Sequence, residues 1–422
     1  MKKRILILSL LTLLISDNLV SQPTYPTPYG VFCSCGPTTG TGFGSVDPTI
    51  AALPFVKGIL VRVAWNLIEP TEGAYNWSLI DNQISAANSY NKKISLAIGN
   101  GKAIPNWVYT AGAQQLTATV PFLGAINIAT PWDATYLTKW KNFVQALGNR
   151  YKNDTTIVLV YITNSSTNGI EMQVPTTVTP SWNSIGYTTT KMIASWDTIV
   201  NAFDAAFPNH FLSNDFHPVN GSNVVADSVY IYANSKIGAR YGASAWWWTQ
   251  HNTTVYPAQY LILQNSTSSN NFSGIQMAYN GTSDSASFGA GGMPAALQLA
   301  ISNNVCYWEI WNQDLLNPNF TTLLTNASCS TTGLNDFNEL TDGLAIFPNP
   351  ANNSLTIKIQ NSNQQINKVT VYNSIGQIEI KTTINRDENS TLDLKKLSNG
   401  VYFLRIDSNA NKSLIKRFVV SK

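Results

Sequence analysis

The strongest constraint on this chain is a rhythm that runs from residue 23 to about residue 325. Short apolar runs rich in β-formers alternate there with segments of helical period. The runs are GVFCSC (30–35), GILVRVAW (58–65), KISLAIGN (93–100), IVLVYIT (157–163), HFLSNDF (210–216), SVYIYAN (228–234), GIQMAY (274–279) and VCYWEIW (305–311). Between them, Leu137, Trp140, Phe143, Val144, Leu147 and Tyr151 recur at steps of three and four, as do Ile193, Trp196, Ile199, Val200 and Phe203. Strands buried on both faces and separated by helices pair in parallel. Eight such units in about 300 residues predict an α/β fold, a (β/α)8 TIM barrel. A doubly wound open sheet ranks second, because no glycine-rich phosphate loop follows any strand.

Composition narrows the setting. Of 422 residues, 44% are hydrophobic, enough for one large domain and one small one. Only 12% are charged, about half of the roughly 25% usual in soluble proteins. Asn, Ser and Thr supply the polar surface instead, a pattern that suits an exported protein. A net charge of +3 with scattered basic residues argues against a nucleic-acid partner. At the N-terminus, Lys2, Lys3 and Arg4 precede ILILSLLTLLI, an apolar core of eleven residues. That run is too short to span a bilayer and reads as a signal peptide over residues 1–21, ending at small Ser21. No Cys follows it to carry a lipid, and no later run is long enough to span a membrane. Cys33, Cys35, Cys306 and Cys329 allow two disulfides in three connectivities in an oxidising compartment. Their spacing, with no neighbouring His, is a weak metal pattern. No metal and no cofactor is assigned from the sequence.

After the alternating region, residues 326–343 are polar and read as a linker. Residues 344–422 change character: SLTIKI, KVTVYN, GVYFLRI and KRFVV are short alternating strands between Asn-, Gly- and Pro-rich turns. They predict a small all-β sandwich. FPNPANNSLTI (347–357), VTVYNSIGQ (369–377), LSNGVYFLRI (397–406) and the terminal KRFVVSK resemble the C-terminal sorting domain of the type IX secretion system. The resemblance implies a Bacteroidetes-type source and passage through the periplasm. It further implies handling by the secretion machinery at the outer membrane, removal of the domain, and release or surface attachment.

Barrels of this kind carry their chemistry at the C-terminal ends of the strands. Those positions hold Trp65, Asn66 and Glu69 after the second strand, and Asn100, Lys102 and Trp107 after the third. Asn164 and Glu171 follow the fourth, then Asn214, Asp215 and His217 the fifth. Arg240 and Trp246, Trp247 and Trp248 are placed after the sixth, Gln276 and Tyr279 end the seventh, and Glu309, Trp311, Asn312 and Asp314 end the eighth. Indole faces stack on sugar C–H surfaces, while amides and carboxylates bind hydroxyls. The set therefore points to a carbohydrate partner. The segment VRVAWNLIEPTEGAYNW (61–77), with LAIGNGKAIPNW after it, resembles strands two and three of the retaining glycoside hydrolases of clan A. Trp65, Glu69, Pro70, Gly73, Tyr75 and Trp77 fit the W-x-x-x-E-P-x-x-G-x-Y/F-x-W stretch of that family.

The resemblance implies a Glu after Asn at the end of strand four and a second Glu at the end of strand seven, as acid/base and nucleophile. Here Asn164 is followed by Ser165, and Gln276 stands at the strand-seven exit. The nearest acids are Glu171 and Glu309. The expectation is a secreted or surface-attached glycoside hydrolase with Glu171 as proton donor and Glu309 as nucleophile or second acid. Trp65, Asn66, Glu69, Asn100, Trp107, Asn164, Asp215, Trp247, Gln276, Tyr279 and Trp311 are its expected sugar-binding residues. A non-catalytic carbohydrate-binding barrel and a surface adhesin are the alternatives, the first favoured by Ser165 and Gln276. Asp215 and His217 read either as an acid–base pair or as a turn.

Overall fold

The computed structural model describes residues 27–36, 42–121, 123–268, 272–327, 344–349, 351–359, 366–373, 378–383, 389–408 and 413–422. The expected signal peptide, most of the expected linker and Cys329 lie outside these residues.

Eight parallel strands close into a barrel. They are β1 (Gly30–Ser34), β2 (Val56–Ala64), β3 (Lys93–Gly99), β4 (Ile157–Tyr161), β5 (Phe211–Asp215), β6 (Tyr241–Trp248), β7 (Ser273–Met277) and β8 (Tyr307–Trp311). Neighbours pair in sequence order, and β1 closes the ring by pairing with both β8 (Phe32↔Glu309) and β2 (Phe32↔Gly58). A helix follows each strand: α1 (Pro48–Ala51), α2 (Ser78–Ser89), α3 (Ala134–Tyr151), α4 (Thr189–Ala206), α5 (Val224–Ile237), α6 (Pro257–Ser268), α7 (Gly292–Ser302) and α8 (Pro318–Asn326). The helices begin where their sequences allow. Asp133 accepts from the Tyr136 N–H at the start of α3, and Thr188 from the Lys191 N–H at the start of α4, side-chain caps for otherwise unpaired donors.

The sixth strand is not where β-propensity placed it. SVYIYAN (228–234) lies inside α5, where Val225, Val229, Ala233 and Ile237 recur every four residues and are buried. The strand is Tyr241–Trp248, YGASAWWW, with all eight residues buried. Its Gly, Ala and Ser residues carry little β-propensity, and packing on both faces makes the strand instead. Arg240 therefore precedes the sixth strand. Its guanidinium bonds Asp204 (2.7 Å) and the carbonyls of Phe207 and His210, at the end of α4. It is far from a strand exit.

The barrel interior is filled by matching rings to missing side chains. Phe32, Leu60, Ala97, Leu159, Tyr161, Trp246, Phe272 and Tyr307 form one buried cluster. A Cβ on Gly58 would lie 2.2 Å from the Phe32 ring, one on Gly242 2.4 Å from Phe272, and one on Gly274 2.7 Å from Tyr307. A second, larger cluster packs the outer strand faces against the helices.

Cys33 and Cys35, at the end of β1, form a disulfide (Cα–Cα 5.2 Å), and Cys306 is disulfide-bonded as well. In the C-terminal region, two antiparallel sheets share one apolar core. Leu344–Phe347, Ser354–Ile359 and Asn389–Asp393 form the first sheet, and Ile366–Asn373, Ile378–Thr382, Gly400–Ser408 and Ser413–Val420 the second. Among the described residues, no helix is long and apolar enough to cross a membrane.

Because the three atoms nearest to a Cβ at Gly242 all belong to the Phe272 ring, Gly242→Ala should cost about 1–3 kcal/mol through overpacking. Adding Phe272→Leu should return part of that cost. Urea denaturation of the two single variants and the double would read the coupling, and strict additivity would refute the ring-for-glycine fit.

Candidate functional site

Two acidic centres sit among the barrel strands. The first is Glu309, on the inward face in the middle of β8 and without exposed surface. The Tyr161 hydroxyl donates to its Oε1 (2.8 Å), the Tyr307 hydroxyl donates to the same oxygen (2.5 Å), and Gln276 Nε2 donates to Oε2 (2.8 Å). Tyr161 belongs to β4, opposite β8 in the ring, so this bond crosses the barrel interior. Burial pushes the Glu309 carboxyl up to about 7, against the lowering pull of Tyr307, Gln276, Tyr161 and the Arg62 charge. Burial also lowers the pKa of Arg62, while the charges of Glu309 and Glu171 raise it. Both acids are thus felt by one guanidinium. Arg62 also donates to the Cys35 carbonyl (2.9 Å) and lies over the Trp311 ring at 5.9 Å.

The second centre lies at the strand exits. Asp215 is the last residue of β5, and His217 follows two residues on. Glu171 comes from the loop after β4. His217 Nε2 stands 3.0 Å from Asp215 Oδ2 and 3.2 Å from Glu171 Oε2. Asp215 and His217 are buried; the Glu171 side chain keeps 19% of its surface. The Trp246 N–H holds Asp215 Oδ1 (2.5 Å), while Asn168 holds Glu171 Oε1 (2.7 Å) and Gln173 holds Oε2 (2.6 Å). Burial alone would lower the His217 pKa, but Asp215 and Glu171 push it up to about 10. Burial raises Asp215, whereas His217, Asn168 and Gln173 together outweigh burial at Glu171 and lower it.

The Glu171 loop is pinned by backbone contact. The Asn100 N–H donates to the Gly169 carbonyl (2.9 Å). Gly169 sits at φ +83°, and a Cβ there would lie 2.0 Å from the Asn100 oxygen. No other residue type fits this crossing of the β3 and β4 exits.

Several expected sugar-binding residues are instead used by the protein itself. Trp65 has no exposed surface; it packs on Trp140 (4.7 Å) and Phe143 (5.7 Å), and its Nε1 donates to Glu69 Oε2 (2.8 Å). Glu69, also buried, accepts the Gly73 N–H (2.8 Å), and its carbonyl accepts from Trp107 Nε1 (2.9 Å). With Tyr75 and Trp77 stacked at 4.7 Å, the EPTEG segment becomes a clasp between β2 and α3. Asn100 caps the Gly101 N–H and donates to the Tyr136 hydroxyl, which in turn donates to Asn164. Asn100 and Asn164 are both fully buried. An indole or amide sealed in the core cannot meet a glycan, and for Trp65, Asn100 and Asn164 the sequence expectation is corrected. Asp314 is buried too, holding the Gly281 and Thr282 N–H groups after β7. Asn66 is exposed on the short helix Trp65–Ile68.

The remaining residues lie at the exits of β6 to β8. The Trp247 ring meets His217 edge-on at 5.6 Å and Tyr256 at 4.4 Å. Tyr279 is 43% exposed. The Trp311 Nε1 donates to the Met277 carbonyl (2.7 Å). Sequence reasoning missed Tyr161 and Tyr307 as partners of Glu309. The only available signal was the in-out alternation that puts Tyr307, Glu309 and Trp311 on one face of β8.

Comparison with known proteins fits this picture. Residues 57–176 match the model of the β-galactosidase family of glycoside hydrolases, and residues 345–421 match the secretion system C-terminal sorting domain. The chain thus carries a glycoside hydrolase family domain on a TIM barrel, followed by a type IX sorting domain that marks it for the cell surface or for secretion. No curated protein matches the chain. Among solved structures it is similar to a glycoside hydrolase (11% identity, 68% of this chain and 88% of that one, TM-score 0.45). It is also similar to endo-glycoceramidase II from Rhodococcus sp. (8%, 86% and 96%, TM-score 0.44) and to the endoglucanase Cel5A of Pseudomonas stutzeri (10%, 68% and 88%, TM-score 0.42).

Two outcomes follow from the geometry. The Glu309 carboxyl keeps its proton to about pH 7 in the folded chain, against an ordinary value of 4.5. Between those values the folded state binds more protons, so raising the pH favours unfolding, by roughly 3 kcal/mol over the whole interval. Glu309→Gln keeps an oxygen for both tyrosines and lets the Gln276 amide turn. Asp227 and Asp197, raised by burial to about 7 and about 6, lose stability over the same range, so urea denaturation at pH 4.5, 6 and 8 should show a decline that is clearly steeper in wild type than in the variant; parallel curves would remove Glu309 as a titrating group. Separately, Gly169→Ala should cost on the order of 3 kcal/mol, from the left-handed φ and the overlap with Asn100. Gly73→Ala, at φ +75° with open space around it, should cost only about 1 kcal/mol. Equal losses in the two variants would show that the loop crossing is not tight.

Proposed function

We propose that this exported chain binds a poly- or oligosaccharide at the C-terminal mouth of its barrel without cleaving it, on a scaffold of the glycoside hydrolase type. The observation that supports this reading is the fate of the two family positions. Ser165 follows Asn164 and spends its hydroxyl on the Ala129 carbonyl (2.6 Å). Gln276 donates to Glu309. Neither supplies a carboxylate, so the retaining pair that the resemblance implies at these positions is missing. Tyr279 is exposed, and Trp311 is partly exposed beside Arg62. Rings and carboxylates of this kind suit a sugar's C–H face and hydroxyls.

One observation favours a second reading, hydrolysis with Glu171 as proton donor and Glu309 as nucleophile. Arg62 feels the charge of both acids, which is consistent with their sharing one end of the barrel. Against it, Glu309 has no exposed surface and all three of its hydrogen bonds go to the protein.

A glycan array and a hydrolysis screen of the full chain separate the two. The binding reading expects glycan affinity in the micromolar to millimolar range, no turnover, and binding unchanged in Glu309→Gln. Turnover that is lost in Glu171→Gln and in Glu309→Gln would establish the hydrolase instead. Lack of affinity for every glycan would remove both readings.

A further inference from the structure

We propose that Glu171, Asp215 and His217 hold a divalent transition-metal cation at the mouth of the barrel. Each residue offers one ligand atom, and the three atoms lie within 4.8 Å of one another. Two of the separations are informative: His217 Nε2 is 3.0 Å from Asp215 Oδ2 and 3.2 Å from Glu171 Oε2. Ligands bound at about 2.1 Å and subtending roughly 90–100° at a metal stand about 3.0–3.2 Å apart. The measured edges are those of a coordination polyhedron.

The same distances suit a hydrogen bond, but the angles do not. Asp215 Oδ2 and His217 Nε2 are both sealed from solvent, and neither makes a hydrogen bond. The in-plane direction of Nε2 points at neither carboxylate oxygen. A lone pair aimed at a shared cation would run about 45° off each N···O line, too bent for a hydrogen bond. Charge holds the imidazole between the two carboxylates, but one imidazole nitrogen can satisfy only one of them with its single proton, and a cation in that proton's place would serve all three groups.

The supports behind the three residues are those a metal site needs. Asp215 is fixed by the Trp246 N–H, and Glu171 by Asn168 and Gln173. Such outer contacts orient ligands before the ion arrives. Two carboxylates and one imidazole select Zn²⁺, Mn²⁺ or Fe²⁺ over Ca²⁺, which takes oxygen ligands. Three protein ligands leave positions open. The partly exposed Glu171 side, beside Trp247 and Tyr256, is where an outside oxygen could complete the shell. This inference stands apart from the glycan reading, since metal uptake is read without any sugar.

The test uses the full chain freed of metal with a chelator and titrated with Zn²⁺ and Mn²⁺. Calorimetry and elemental analysis should find one ion per chain, with a rise of several degrees in Tm. Affinity should fall at least 100-fold in His217→Gln and in Asp215→Asn. Because those two residues are buried, Glu171→Gln provides a variant that spares the core. Its circular dichroism should match wild type, while the visible absorption of a Co²⁺-loaded chain is lost. No stoichiometric uptake by wild type at millimolar metal would overturn the proposal, and so would uptake undiminished in folded Glu171→Gln. Metal uptake by a chain that binds no glycan would keep this inference and remove the glycan reading.

Discussion

A carboxyl group sealed from bulk solvent lies at the centre of this barrel. Glu309 is met from β4 by Tyr161, from β7 by Gln276 and from its own strand by Tyr307. A buried acid is costly unless hydrogen-bonded, so these donors and the barrel's closure depend on one another. The bond from Tyr161 reaches across the interior, and Tyr307 continues to Ser95 on β3 at 2.6 Å. Four strands are thereby tied from within, in addition to their backbone ladders. Gln276 takes part because an amide can donate where a carboxylate cannot. A Glu at this position would place two acids in hydrogen-bond range in a dry interior, where both could not ionise together.

The mouth is organised by different means. The loops after β3 and β4 meet at Asn100 and Gly169, main chain against main chain, and the segment beyond Gly169 carries Glu171 to His217 and Asp215. Polar side chains at the exits of β2 to β4 are largely spent on holding loops: Glu69 on Gly73 and Trp65, Asn100 on Gly101 and Tyr136, Asn164 on Tyr136 and Ser195. Gln276, Glu309 and Asp314, from β7 and β8, are likewise engaged within the protein, whereas Asn66 and Tyr279 stay exposed.

Much of the architecture was legible in the chain. The eight-fold alternation, the helical period of α3 and α4 and the turn-rich C-terminal strands each follow from side-chain periodicity, which is local. The sixth strand was not legible, because Val, Tyr and Ile at 228–234 favour strands intrinsically while their four-residue recurrence seats them on a helix. YGASAWWW forms a strand only because neighbours on both sides supply its ladder. At the site, Asp215, Glu171 and Glu309 were visible as acids near strand ends. Their partners were not, since Tyr161 and Glu309 are separated by 148 positions and meet only when the ring closes. The aromatic residues around Glu69 misled for a related reason. An indole that stacks on a sugar and one that packs on Phe143 have the same composition, and only burial separates them.

By itself, the sequence determined the fold class, the presence of a sorting domain after the barrel and the route out of the cell. These depend on periodicity, motif and residue identity, properties that a linear chain carries before it folds. Only the tertiary structure decided which side chains face the barrel interior, which are sealed behind it, and that Glu171, Asp215 and His217 converge. Convergence of that kind depends on strand register and on loop crossings measured in tenths of an ångström, and these arise when distant segments are packed together.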